Sequence, residues 1–234
     1  MVLRELIDTV QQHHPDKREV EIRKLLNRAS DDFCARTEIV KNTYKQTTTA
    51  GQRYYAIHKN IIKITELQID DVTIPRMIGK PEIDDDEIAS TNALATPTTT
   101  SNERYWYVDS GRIGIVEKST RAHTRDGKTS DYQSISEALE MRIFVVSRAS
   151  HFHETSTQDT YLSAESEIPS QFHEALAHKV IATCYLHPDN LNIDLSNAFT
   201  SLYVDLVKEG KKFARNQYRS TGFIRPQDFE WHGH

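Results

Sequence analysis

The densest cluster of metal-competent side chains in this 234-residue chain is His151-Phe152-His153-Glu154. On a strand, residues two apart share a face, so both imidazoles could turn toward one cation. Two ligands leave a zinc-like ion short of a closed shell. A third would have to come from His123, His173 or His178, and the sequence ties none of them to the pair. His173 and His178 are five apart, not the four that stacks two ligands on a helix. Trp231-His232-Gly233-His234 carries two more imidazoles, at a chain end of the kind that frays. The carboxylates Asp84-Asp85-Asp86-Glu87 sit in a stretch too polar to order itself and would hold a divalent ion only loosely. There is no G-x-S-x-G elbow, no C-x-x-C, and no close run among the eight glycines to cradle a phosphate. Catalysis is therefore the weaker class: a metal-dependent enzyme using His151 and His153 stands as an alternative, and no cofactor or metal is expected.

Nucleic-acid chemistry has two footholds. Tyr105-Trp106-Tyr107 could stack bases, but aromatic residues alternating along a strand more often pack a core or a subunit contact. Lys208, Lys211, Lys212, Arg215 and Arg219 form a basic cluster, at a helix C-terminus where the dipole favours cations anyway. A net charge of −5 supplies no global basic footprint. Nowhere do eighteen apolar residues follow one another, and the charged first residues lack a signal-peptide core, so neither export by that route nor membrane association is expected. Cys34 and Cys184 both fall on apolar helix faces, as buried reduced thiols do; the sequence leaves their pairing open.

The elements that would position these groups begin with a C-terminal helix pair, roughly Pro169 to Leu186 and Asp194 to Arg219. Phe172, Leu176, Val180 and Cys184 recur every four residues in the first, with Ala177 and Ile181 beside them. Phe199, Leu202, Leu206 and Phe213 define the stripe of the second, widened by Tyr203, Val207 and Ala214. Pro188 breaks the chain between them at a length suited to an antiparallel pair, and Asp194 reads as the cap of the second helix. Leu3, Leu6, Ile7 and Val10 predict a first N-terminal helix. Asp16, with Glu19 three residues on, predicts the start of a second through Ile22, Leu26, Ala29 and Phe33.

Between these helices the period shortens. Ile39–Thr48 and Tyr54–Ile57 read as a hairpin around Ala50-Gly51-Gln52, and the change of parity between Ile62/Ile64 and Leu67/Ile69 calls for a bulge near Thr65-Glu66. Arg104–Glu117 is a hairpin about Asp109-Ser110-Gly111, Arg121–Ser136 a protruding loop with a turn at Asp126-Gly127, and Leu139 to Val145 a half-exposed strand. Residues 75–103 carry Pro81, Pro97, the acidic run and a Thr-rich tract, and read as a flexible insert or an arm that orders on a partner. The expected class is α+β: a helical bundle from N- and C-terminal helices, a central antiparallel β region and long flexible loops. The expected divisions are 1–37 (N-terminal helices), 38–168 (β region with the insert near 75–103), 169–219 (helix pair) and 220–234 (a C-terminal arm).

The order of elements carries a resemblance. Asp31 to Thr37 closing the N-terminal helices, the strand Lys59 to Ile64, the hairpin Trp106 to Ile115, and Ile168 to Leu176 with its partner helix together resemble the head-to-tail adaptor (connector or neck) proteins of tailed bacteriophages. The resemblance implies a non-enzymatic virion protein of the neck, assembled in the host cytoplasm. It implies a homo-oligomeric ring, commonly dodecameric, that docks under the portal protein, extends the DNA channel with transient contact to the genome, and presents a surface to tail or neck proteins. An acidic chain suits a channel through which DNA must slide. Phe223, Ile224, Arg225, Phe229 and Trp231 in the C-terminal arm are the expected partner or inter-subunit contacts, aromatic anchors being typical of interfaces. A tail-side completion or terminator protein is the alternative within the same setting.

Overall fold

The computed structural model describes residues 1–79, 100–125, 128–153 and 162–220. It divides into two compact units: Lys41–Val146 forms one, and the chain on either side of it forms the other. The class is α+β, with four α-helices and antiparallel sheets among the described residues.

The helical unit contains α1 (Leu3–His13), α2 (Glu19–Thr37), α3 (His173–Cys184) and α4 (Ile193–Ser220), with 3-10 turns at Ser170–Phe172 and Pro188–Asn190. Leu3, Leu6, Ile7 and Val10 of α1 and Ile22, Leu26, Ala29 and Phe33 of α2 are buried, as their spacing predicts. Helix α3 packs against all three others. It buries its expected stripe and, in addition, Ala175 and Ala182, because it is the central helix and not a one-sided one.

In α4 the buried line runs Ser196, Tyr203, Val207, Gly210, Ala214, while Leu202 is 49% exposed and Leu206 half-buried. The expected stripe was centred on the large residues. The contact is centred instead where small residues let helices approach. A Cβ on Gly210 would lie 2.9 Å from Thr37 Cγ2 and 3.1 Å from Phe33 Cζ, so α2 and α4 cross at that glycine.

Two caps differ from expectation. Asn192, not Asp194, caps α4: its Oδ1 accepts the Leu195 N–H at 3.1 Å, and Asp194 serves as first-turn negative charge. Arg18 occupies the N-cap of α2 without a side-chain bond, because residues 15–17 form a turn ahead of the helix and leave Asp16 outside it.

The described strands of the β unit form two sheets. Strands β1 (Lys41–Thr47), β8 (Glu140–Ser147), β3 (Ile61–Ile69) and β4 (Val72–Thr73) form one in that order; β2 (Tyr54–Ala56), β6 (Arg112–Arg125) and β5 (Thr100–Asp109) form the other, with β7 (Lys128–Ser134) also on β6. Tyr55, Leu67, Ile113, Ile115, Met141 and Ile143 lie in their shared core. The β5–β6 hairpin pairs Asp109 with Arg112 around Ser110-Gly111, both at positive φ.

The hairpin expected between Ile39–Thr48 and Tyr54–Ile57 is not formed, since β1 pairs with β8 and β2 with β6. The turn at Gly51 (φ +77) carries the chain from one sheet to the other, held by the Gly51 N–H on Ile135 O at 2.7 Å and the Tyr55 hydroxyl on Gln52 O at 3.1 Å. The stretch read as a protruding loop is a strand pair, β6–β7, whose two-sided polar composition hides it; the Asp126-Gly127 turn lies outside the described residues. Strand β3 runs unbroken from Ile61 to Ile69. Its parity change reflects burial that begins only at Leu67, the first six residues being half-buried or exposed.

Candidate interaction sites

His151-Phe152-His153 is not a strand, yet its residues still alternate: Phe152 is buried and both histidines are exposed. Asn27 of α2 fixes the segment, accepting the Phe152 N–H at 2.9 Å and donating to the Phe152 carbonyl at 3.1 Å. The imidazole centroids are 6.4 Å apart, and His151 Nε2 sits 3.0 Å from Asp31 Oδ1. His173 is spent elsewhere, buried with Nε2 2.6 Å from the Ile168 carbonyl. His178 contacts the ring of Phe199, and burial lowers its pKa. The His123 side chain and Glu154 lie outside the described residues. Among the described residues no three or more His, Cys, Asp or Glu converge as a metal site. What the arrangement does is tie the chain to α2.

Buried polarity elsewhere in the helical unit is also structural. The Tyr203 hydroxyl donates to Asp32 Oδ2 at 2.8 Å, Arg36 Nε donates to Asp32 Oδ1 at 2.9 Å, and Lys179 Nζ stands 3.8 Å from Oδ2. Arg36 and Lys179 also flank the Tyr203 ring. Burial raises the Asp32 pKa, but the bonds from Arg36 and Tyr203 outweigh it and hold the carboxyl below its usual value. Cys34 and Cys184 are free and buried, burial pushing the Cys34 thiol up to about 11 and Cys184 up as well.

Trp106 and Tyr107 are buried, which settles their role as core; the indole N–H donates to Ile74 O at 3.1 Å. Tyr107 lies over Gly114, where a Cβ would come within 2.3 Å of the ring.

Two open concavities of the β unit, among its described residues, adjoin one another. One, of about 590 Å³, lies among Tyr44, Ile57, His58, Ile61 and Ile143; the other, of about 370 Å³, lies among Ile61, Ile62, Lys63, Ile64, Arg76 and Val108. They adjoin through Ile57 and Ile61. Four consecutive residues of β3 line the second. Side chains on a strand alternate faces, so a hollow that touches all four runs along the strand's edge. The register agrees: β4 meets β3 at Gln68–Thr73 and Ile69–Val72, the Ile74 N–H reaches Leu67 O at 3.0 Å, and no described strand continues along Ile61–Glu66 on that side. Cations stand around both hollows (Lys45 and Lys59 at the first, Lys63 and Arg76 at the second), and no Asp or Glu lines either. Sequence reasoning missed this groove. Its signal is Ile61-Ile62-Lys63-Ile64, apolar on both parities; the bulge expected near Thr65-Glu66 accounts only for the parity change toward Leu67 and Ile69.

The expected contact residues Phe223, Ile224, Arg225, Phe229 and Trp231 lie outside the described residues, as do residues 80–99 of the insert. No described helix is long and apolar enough to cross a membrane.

No curated protein matches the chain in a sequence comparison. The family profile described as SU10 adaptor protein matches residues 1–226, spanning both units. With that match over nearly its whole length, the chain belongs to the SU10 adaptor protein family, a family of phage head-to-tail adaptors.

Proposed function

We propose that the protein is a non-enzymatic component of the virion neck, assembled in the host cytoplasm as a ring that docks under the portal, extends the DNA channel and offers the tail its attachment surface. The observation that carries this reading is the family match over residues 1–226, which takes in the helical bundle and the β unit together. The chemistry of the chain supports it. Among the described residues His151, His173, His178, Tyr203 and the two buried thiols make internal contacts, and the net charge of −5 would not hold DNA that must slide.

In this reading the helices of 1–37 and 169–219 form the scaffold, and the β region expected over 38–168 has the unit Lys41–Val146 at its centre. Residues 220–234 are a partner-binding arm in which Phe223, Ile224, Arg225, Phe229 and Trp231 are the anchors. Sedimentation velocity of the purified protein, alone and with portal rings from the same genome, tests it. Co-sedimentation in a fixed ratio is the expected result. A protein that ignores portal but joins tail components would replace this reading with that of a tail-side completion protein.

A further inference from the structure

We propose that the groove along β3 receives the acidic segment Glu82–Ile88 of a neighbouring copy of this chain. The proposal rests on the ring reading, which puts a second copy beside every groove.

The groove has two halves of different chemistry. Its floor is aliphatic: Ile57, Ile61 and Ile143 in one hollow, Ile62, Ile64 and Val108 in the other, with Val108 43% exposed. Its rim is cationic. Lys59 and Lys63 rise from β3 and the turn before it, Arg76 lies 5.3 Å over the Trp106 ring, and Lys45 stands 3.6 Å from Glu140 in an exposed, weak pair. The edge beside Ile61–Glu66 offers main-chain groups that no described strand takes up, the setting in which extended segments dock.

The occupant of matching chemistry is an extended acidic segment with an aliphatic anchor. Glu82-Ile83-Asp84-Asp85-Asp86-Glu87-Ile88 is such a segment. Extended, it turns Ile83, Asp85 and Glu87 to one side and Asp84, Asp86 and Ile88 to the other, so either side brings one isoleucine to the floor and two carboxylates to the cationic rim. A DNA backbone fits less well. Phosphates gain nothing from an isoleucine floor, and duplex recognition needs a groove-filling helix or ribbon, not a hollow. Met77 N–H donates to Trp106 O at 2.7 Å and Trp106 N–H to Pro75 O at 3.1 Å, which holds the start of the acidic stretch's chain beside the groove. The ring sets a second copy's segment within reach as well, and the mixing experiment below separates the two sources.

A charge swap in the full chain tests this. The variant Lys59→Glu/Lys63→Glu reverses the groove, and Asp84→Lys/Asp85→Lys reverses the segment. Each alone is expected to weaken self-association at least tenfold in low-salt sedimentation velocity, with wild-type association also falling as salt screens the pairs. An equal mixture of the two is expected to recover it, because each variant then meets a complementary neighbour. Unchanged association in both variants overturns the proposal while leaving the ring intact. Failure of the mixture to recover overturns the neighbour assignment in favour of docking within one chain, and a wild type that is monomeric even with portal overturns it together with the ring. The groove is read separately with a fluorescent peptide of residues 80–90 titrated into the segment-reversed protein. Binding that is lost at least tenfold on adding the groove substitutions supports the proposal. No binding, or binding of duplex DNA in its place, overturns it whatever the ring does.

Discussion

Replacing Tyr203 by Phe removes one oxygen from the junction of α2, α3 and α4, and the structure sets how much that should cost. Tyr203 is 1% exposed, and its hydroxyl donates to Asp32 Oδ2 at 2.8 Å. A hydrogen bond to a charged acceptor contributes about 1.5–3 kcal/mol. Two facts push the value to the lower end. Asp32 is one-third exposed, so water can take the vacated lone pair, and Arg36 Nε stays on the other oxygen at 2.9 Å. A loss of about 1–2 kcal/mol at neutral pH follows, or a fall of roughly 0.5–1 M in the urea midpoint for ordinary slopes.

The sign with pH is fixed by Asp32. Its folded pKa is depressed, so its contribution is complete above the unfolded carboxylate value of about 3.9 and is lost as pH falls through the lower folded value. Tyr203 itself, its pKa raised by burial and by Asp32, stays protonated throughout. The gap between wild type and Tyr203→Phe should therefore be full at pH 7 and narrow in acid below about pH 4. Urea unfolding followed by helical circular dichroism measures it. A gap under about 0.5 kcal/mol at pH 7, or one that does not narrow in acid, refutes the assignment of Asp32 as a charged acceptor.

Other perturbations have equally definite outcomes. Gly114→Ala puts a methyl against the Tyr107 ring, where it has no room, and should cost about 1–3 kcal/mol by overpacking; fluorescence of buried Trp106 follows the β unit, and a loss that stays the same in a Tyr107→Leu background would deny the clash. His14 is buried against Tyr185 and burial lowers its pKa, as it does for His178, so the unfolded chain takes the proton first and stability should fall as pH drops from about 7 toward 5. His14→Phe should flatten that fall in melting temperature, and an unchanged slope contradicts it. Cys34 and Cys184 should ignore an aromatic disulfide reagent in the folded protein and react fully in denaturant; rapid native labelling would show that the helical unit opens.

The helices were legible because burial there follows a period the residues display. Leu3, Leu6, Ile7 and Val10, or Leu176, Val180 and Cys184, mark their faces by size and spacing alone. The centre of the α4 contact was not legible, because a close crossing is marked by Ser196 and Gly210, which a search for large apolar residues passes over. In the β unit local signals told the truth only where pairing is local. Asp109-Ser110-Gly111 gave its hairpin, while the turn at Gly51 serves a passage between sheets, since β1 finds its partner about a hundred residues later in β8. The groove stayed hidden for a related reason. An edge is defined by where pairing stops, and Ile61 to Ile64 look like a core strand until β4, the described neighbour on that side, proves to be two residues long.

An adaptor must join heads to tails. Phage particles produced without it should separate into heads and unattached tails, and adding the purified protein should restore joined particles, with its signal at the neck in electron micrographs. Joined, infectious particles formed without the protein, or restoration that places it away from the neck, would contradict the account.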